Sequence, residues 1–123
     1  MSIETRSELQ SSYVHYFCRG PFEFEAIKDV FSTAFEIASE KNRNAILVDI
    51  IELHGKPPTT YERFNLGEYV AHLCFKFGKP VRIAVVGKIP IVDPERFGET
   101  VAVNRGANGK VFTELEEAKD WLK

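Results

Sequence analysis

Cysteine is nearly missing from this chain: Cys18 and Cys74 are its only two. Each stands in an apolar run, "HYFCR" and "AHLCFKF", where a thiol behaves as a small hydrophobe rather than as half of a disulfide or a ligand pair. An excess of one charge is missing too. The 16 basic and 18 acidic side chains leave a formal net charge of -2, whereas a domain built to coat nucleic acid carries a clear surplus of Lys and Arg. DNA and RNA are therefore not expected partners. No long hydrophobic run occurs: "AILVDII" and "VRIAVVG" break off far short of the roughly 20 residues of a membrane helix. The opening "MSIETRSELQ" has neither the basic start nor the apolar centre of a signal segment. A cytosolic protein with no membrane span is the expectation.

Enzyme signatures are absent as well. There is no GxSxG elbow, GxxxxGKS/T phosphate loop, GxGxxG turn, or HxxxH or CxxC ligand spacing. The chain is therefore expected not to be an enzyme and to hold no cofactor or metal. His15, His54 and His72 fall on three different predicted elements. Glu68 and His72, one helical turn apart, suit a solvated i,i+4 pair better than two metal ligands.

What is present is ordinary globular composition, 44% hydrophobic and 28% charged over 123 residues, which predicts a real core and one domain spanning residues 1–123. Residues 12–18, "SYVHYFC", read as a first strand, with room for a short edge strand beside it in residues 1–11. Ile27, Val30, Phe31, Ala34, Phe35 and Ala38 recur at three- and four-residue spacing and predict a helix with one apolar stripe. Glu23 and Glu25 lie at its positive end, and Lys41 and Arg43 at its negative end. "AILVDIIEL", residues 45–53, is apolar on both alternating faces except at Asp49 and Glu52, which predicts a central parallel strand covered on both sides.

After Pro57-Pro58, Thr59 and Glu62 match a capping box. A second helix is predicted from there, carrying Phe64, Val70, Leu73 and Phe77 inward and stopped by Gly78-Lys79-Pro80. "VRIAVVG", residues 81–87, repeats the buried-strand pattern. Asp93-Pro94 reads as the start of a third helix running to Asn104. A short strand at "KVFT" follows, and a second capping box, Thr113 with Glu116, opens a last helix with Leu115, Ala118 and Leu122 facing in. Gly67 within the second helix costs about 1 kcal/mol against alanine, so another backbone is expected close by.

Alternating strands and helices imply βαβ crossovers, right-handed in about 98% of cases, and hence a mainly parallel sheet of four to five strands in the α/β class. The loops after the strands then gather along one edge, where open α/β sheets bind ligands. His54, Lys56, Thr59, Thr60, Arg63, Lys88, Asp93 and Arg96 fall on that edge and are the candidate binding residues. The cations among them stand beside two helix N-termini that offer free amides to a small anion, while Thr59 and Asp93 are also needed as caps. Phe24, Tyr69 and Phe75 lie off the assigned core stripes. Exposed together, they would form a patch for a partner or a lipid.

The run "ILVDIIELHGKPPTTYERFNLGEYVA", then "VRIAVVG", then "DPERFGETVAVNRGANGKVFTELEEAKDWL" resembles the bacterial STAS-like group, the domains similar to anti-sigma-factor antagonists and, more distantly, to CRAL-TRIO lipid-transfer domains. The similarity spans about residues 12–122 and rests on overall pattern and a few loop phrases. It implies a superhelix of β-α units with a mostly parallel sheet. Antagonist-type members regulate by docking on a partner kinase and carry an Asp-Ser-Ser-Gly-like phosphorylation motif at the start of the helix after the central strand. Pro58-Thr59-Thr60-Tyr61 occupies that place, which makes Thr59 or Thr60 the candidate phosphoacceptor, without the flanking Asp and Gly.

The functional expectation is a non-enzymatic cytosolic regulatory module. It would bind a protein partner, such as a regulatory kinase or a sigma-pathway protein, through the loop edge and the second helix. The alternative is a carrier of a small anionic or lipid ligand, which needs an interior pocket of about 300 Å³ or more. A homodimer stays open, because exposed aromatics serve a second copy as readily as a foreign protein.

Overall fold

The apolar run at the middle of the chain forms the middle of the sheet. In a computed structural model that describes residues 3–123, Ala45–His54 is the central strand of five. In chain order the elements are β1 (Glu4–Leu9), β2 (Val14–Pro21), α1 (Phe24–Glu40), β3 (Ala45–His54), α2 (Thr60–Phe77), β4 (Arg82–Val86), α3 (Phe97–Asn104), β5 (Asn108–Phe112) and α4 (Leu115–Leu122). The strands lie in chain order, β1-β2-β3-β4-β5. β1 is the edge strand the sequence left room for and runs antiparallel to β2; the other pairings are parallel. Each crossover thus steps one strand in the same direction, which is the expected winding of β-α units.

Because side chains alternate across a strand, the two faces of the sheet build separate cores. On one face Val14, Tyr16, Ile46, Val48, Ile50 and Ile83 pack under α1 and α2. On the other, Ala45, Leu47, Ala84, Val86 and Phe112 pack under α4 through Ala118 and Leu122. This two-sided cover explains why "AILVDII" carries hydrophobes at almost every position.

α1 buries the six residues of its predicted stripe and no others. α2 differs from expectation. Of the four residues assigned inward only Leu73 is fully buried, and Gly67 and Ala71 join it. The reason is a second neighbour: α3 lies so close that a Cβ on Gly67 would stand 2.6 Å from the Gly98 carbonyl oxygen and 2.8 Å from the Val101 Cβ. The helix therefore divides its apolar surface among α1, the core over the sheet and α3. Gly78, at φ 84°, ends it in the left-handed conformation, as the sequence suggested.

Four boundaries shift. β2 runs from Val14 to Pro21 rather than over residues 12–18. α3 begins at Phe97 rather than Pro94, after Arg96 at φ 56°. The Asp93 carboxylate instead closes a turn, Oδ1 accepting the Glu95 amide and Oδ2 the Phe97 amide, both at 3.0 Å. β5 starts two residues before "KVFT" and ends one residue earlier, at Phe112. α4 opens behind Glu114 with no side-chain cap, so the Thr113/Glu116 box does not form. With Glu114 at the cap position, the third helical residue is Glu117, and both motif residues are out of register.

Candidate functional site

The carboxyl ends of β2, β3, β4 and β5 point to one rim, and the loops there are fastened to one another by backbone-directed bonds. The Phe22 amide donates to the His54 carbonyl at 2.8 Å, and the Gly87 amide to the Phe112 carbonyl at 3.1 Å. Arg63, in the first turns of α2, reaches across to the β4–α3 loop: Nη2 donates to the Pro90 carbonyl at 2.9 Å and Nη1 to the Ile91 carbonyl at 3.2 Å. Residues 54–58 and 87–93 therefore belong to one surface, the convergence expected of a parallel sheet.

The candidate residues divide into two groups on that rim. Thr59, Arg63 and Asp93 are engaged in holding it. The Thr59 hydroxyl accepts the Glu62 amide at 3.1 Å while Glu62 Oε1 accepts the Thr59 amide at 3.0 Å, the capping box read from the sequence. At Asp93, partial burial acts to raise the pKa, but the amides of Phe97 and Glu95 and the nearby Arg63 charge outweigh it and hold the carboxyl below its usual range. His54, Lys56, Thr60, Lys88 and Arg96 are exposed, and among the described residues their side chains make no hydrogen bond or ion pair with protein. Tyr61 and Ile89, 73% and 55% exposed, stand on the same rim.

Beneath the rim lies a largely apolar cavity of about 130 Å³ lined by Phe22, Phe31, Ile50, Leu66 and Val92, with Arg63, Asp93 and Arg96 also in its lining. A wider hollow of about 590 Å³ lies at the amino ends of the strands, beside Asn44, Cys74, Phe75, Lys79, Arg82 and Arg105. Its cations are already committed: Arg82 donates to the Trp121 and Leu122 carbonyls at 2.7 and 2.8 Å, and Arg105 pairs with Glu68 at 3.4 Å. Phe75, 86% exposed, belongs to this pole. Phe24 and Tyr69 are half-buried, with Lys28 Nζ 5.5 and 5.3 Å from their rings. The three aromatics do not make one patch.

Burial pushes the Cys18 thiol up to about 12, with a smaller contribution from the Asp49 charge, and burial also raises Cys74. A thiol held protonated is a poor nucleophile or ligand; Cys18 packs as a core hydrophobe.

One polar pair was missed by sequence reasoning. His15 Nε2 lies 2.8 Å from Asp49 Oδ2 in the interior, and Asp49 Oδ1 accepts the Ile51 amide at 3.1 Å. The signal was there: a lone acid in an apolar strand and a histidine in the strand predicted beside it. The imidazole stacks on Phe17 at 3.7 Å, and with its carboxylate partner it forms a satisfied interior pair. Among the described residues no cluster of three His, Cys, Asp or Glu side chains is arranged to hold a metal, and no helix is long and apolar enough to cross a membrane.

No protein-family model matches the chain, and no curated protein matches its sequence. Solved structures do. An anti-sigma factor antagonist from Mycobacterium paratuberculosis superposes with a TM-score of 0.64 at 14% identity, covering 98% of this chain and 94% of that one. An uncharacterized protein of the DUF3478 family from Shewanella loihica PV-4, described as having a SpoIIAA-like fold, gives a TM-score of 0.53 at 21% identity, over 99% and 94% of the two chains. Strand order, crossovers and these likenesses agree that the chain carries a STAS-like fold of the anti-sigma-factor-antagonist, SpoIIAA-like kind.

Proposed function

We propose that residues 1–123 act as a single non-enzymatic regulatory module that docks a protein partner on the carboxyl rim and the first turns of α2. The observation that carries this reading is the pairing of rigidity with exposure. Arg63 pins the start of α2 to the β4–α3 loop, and Tyr61 and Ile89 stand out to solvent on the same rim as the uncommitted His54, Lys56, Lys88 and Arg96. Exposed apolar anchors on a pre-organised frame, ringed by charge, are what a protein interface needs. The likeness to an anti-sigma factor antagonist supports a regulatory role, with a kinase or sigma-pathway protein as the class of partner.

At the rim, the cavity volume supports docking over carriage: about 130 Å³ is below the roughly 300 Å³ at which small-molecule pockets begin. The wider hollow of about 590 Å³ lies at the other end of the strands, away from the candidate residues. If the module is phosphorylated, Thr60 is the better acceptor of the two threonines. Its side chain is exposed at the start of α2, where added negative charge gains from the helix dipole, whereas the Thr59 hydroxyl is held in the capping box.

Titration of candidate kinase-type partners against the wild type, Tyr61→Ala, Ile89→Ala and Phe75→Ala tests the proposal. The two rim variants are expected to weaken binding by about tenfold or more, and Phe75→Ala, at the opposite pole, to leave it unchanged. Equal affinity for all four proteins would remove the rim as the docking surface. Thr60→Glu compared with Thr59→Glu then reads the switch separately from the interface.

A further inference from the structure

The two edges of the sheet are finished differently. At β5, α3 lies alongside, and the Glu99 carboxylate accepts the outward Val111 amide at 2.7 Å. At β1 all six residues are exposed, and among the described residues nothing bonds to the outer side of its backbone. Such a row of free amides and carbonyls is a template for another strand. Charge ordinarily blunts an edge, and β1 carries Glu4, Arg6 and Glu8. Their order makes the edge self-complementary instead.

We propose that β1 pairs antiparallel with β1 of a second copy of this chain, centred on Ser7, and joins two five-stranded sheets into one. Residues directly opposite each other in an antiparallel pair share a face, so a two-fold axis normal to the sheet passes through a residue, never between two. Centred on Arg6, the pairing would set Arg6 against itself and Glu4 against Glu8. Centred on Glu8, it would set Glu8 against itself. Centred on Ser7, it sets Arg6 opposite Glu8 of the second copy and Glu8 opposite its Arg6, with Thr5 facing Leu9 across the other side. This register covers residues 5–9 of the strand, whereas the complementary register centred on Thr5 covers only residues 4–6. It also gives cover to Leu9, 51% exposed in the single chain.

In the single chain the Arg6 guanidinium lies 3.8 Å from the Phe17 ring centroid and contacts Glu8 of its own strand, so the pairing exchanges two contacts within a strand for two between copies. In the sheet β2 separates β1 from β3, and the outer edge of β1 faces away from the strands that feed α2 and α3, so dimerisation through it leaves the proposed docking surface free on both copies.

One strand pair buries less than a standard interface of about 1,600 Å², so the dimer is expected to be weak, with a dissociation constant on the order of 100 µM. Sedimentation equilibrium over a concentration series spanning that value tests it. Arg6→Glu and Glu8→Arg, each verified as folded by circular dichroism, are each expected to weaken self-association about tenfold, because each creates two like-charge pairs. The double variant Arg6→Glu/Glu8→Arg is expected to restore it, and an equimolar mixture of the two single variants to form the heterodimer. The proposal is overturned by a wild type that stays monomeric throughout, by single variants that associate like the wild type, or by a mixture that fails to recover. Loss on Arg6→Glu with none on Glu8→Arg would reject the Ser7 register in favour of the one centred on Thr5.

Discussion

α1 and α2 are nearly the same length, 17 and 18 residues, and solve different packing problems. α1 lies over the sheet, its buried residues, including Ile27, Phe31 and Phe35, forming a single stripe. It touches α2 along one side, where Phe35 meets Phe77 at 6.1 Å between ring centroids. α2 meets α1, the core above the sheet and α3, and at the α3 contact its buried residues are Gly67 and Ala71. Over the sheet a helix uses bulk; where two helix backbones meet closely, it uses absence of bulk. The same α2 also presents its first turn to the rim, so the helix that is least regular in its core pattern is the one that carries the candidate site.

The contrast can be tested by substitution. The largest effect is expected for Phe31→Ala in α1, which removes a buried ring and enlarges the cavity it already lines. It should cost about 3–5 kcal/mol in a urea titration, and a much smaller loss would mean that the α1 stripe is looser than its burial implies. Gly67→Ala in α2 comes next. Helix propensity alone predicts a gain of about 1 kcal/mol, but the added methyl would press on the Gly98 carbonyl at 2.6 Å, so the expected result is a loss of about 1–3 kcal/mol. A stabilised variant would break the distinction between the two helices. The smallest effects compare two threonines in the same sequence motif. Thr59→Ala should cost about 1 kcal/mol because its box is formed, and Thr113→Ala should stay within about 0.5 kcal/mol because its box is not.

Thr59 and Thr113 also show what was legible in the sequence. Both begin a Thr-x-x-Glu pattern, and only tertiary context separates them. After β3 the chain has five residues, 55–59, in which to turn before α2, and the box falls in register. After β5 the Phe112 carbonyl is fixed by the Gly87 amide, and the helix begins only behind Glu114. Asp93 was read as the cap of a helix starting at Pro94, whereas its carboxylate closes a turn ahead of α3. Arg63 was read as a free donor because its acceptors, the Pro90 and Ile91 carbonyls, lie 27 and 28 positions away along the chain. The convergence of the two loops was foreseeable, since any succession of parallel βαβ units brings them together; which of their side chains remain free was not.

By itself the sequence determined the number and order of the main elements, the α1 stripe, the central place of β3 and the rim on which the candidate residues meet, because periodicity and crossover handedness are local or nearly local constraints. Tertiary structure alone decided that α3 presses on Gly67, that Arg63 and Asp93 hold the rim together rather than reach outward, that His15 finds Asp49, and that β1 is left bare while β5 is closed by Glu99. Each of those depends on distance between groups far apart in the chain, and hydrogen bonding and close packing act on that distance, not on separation in sequence.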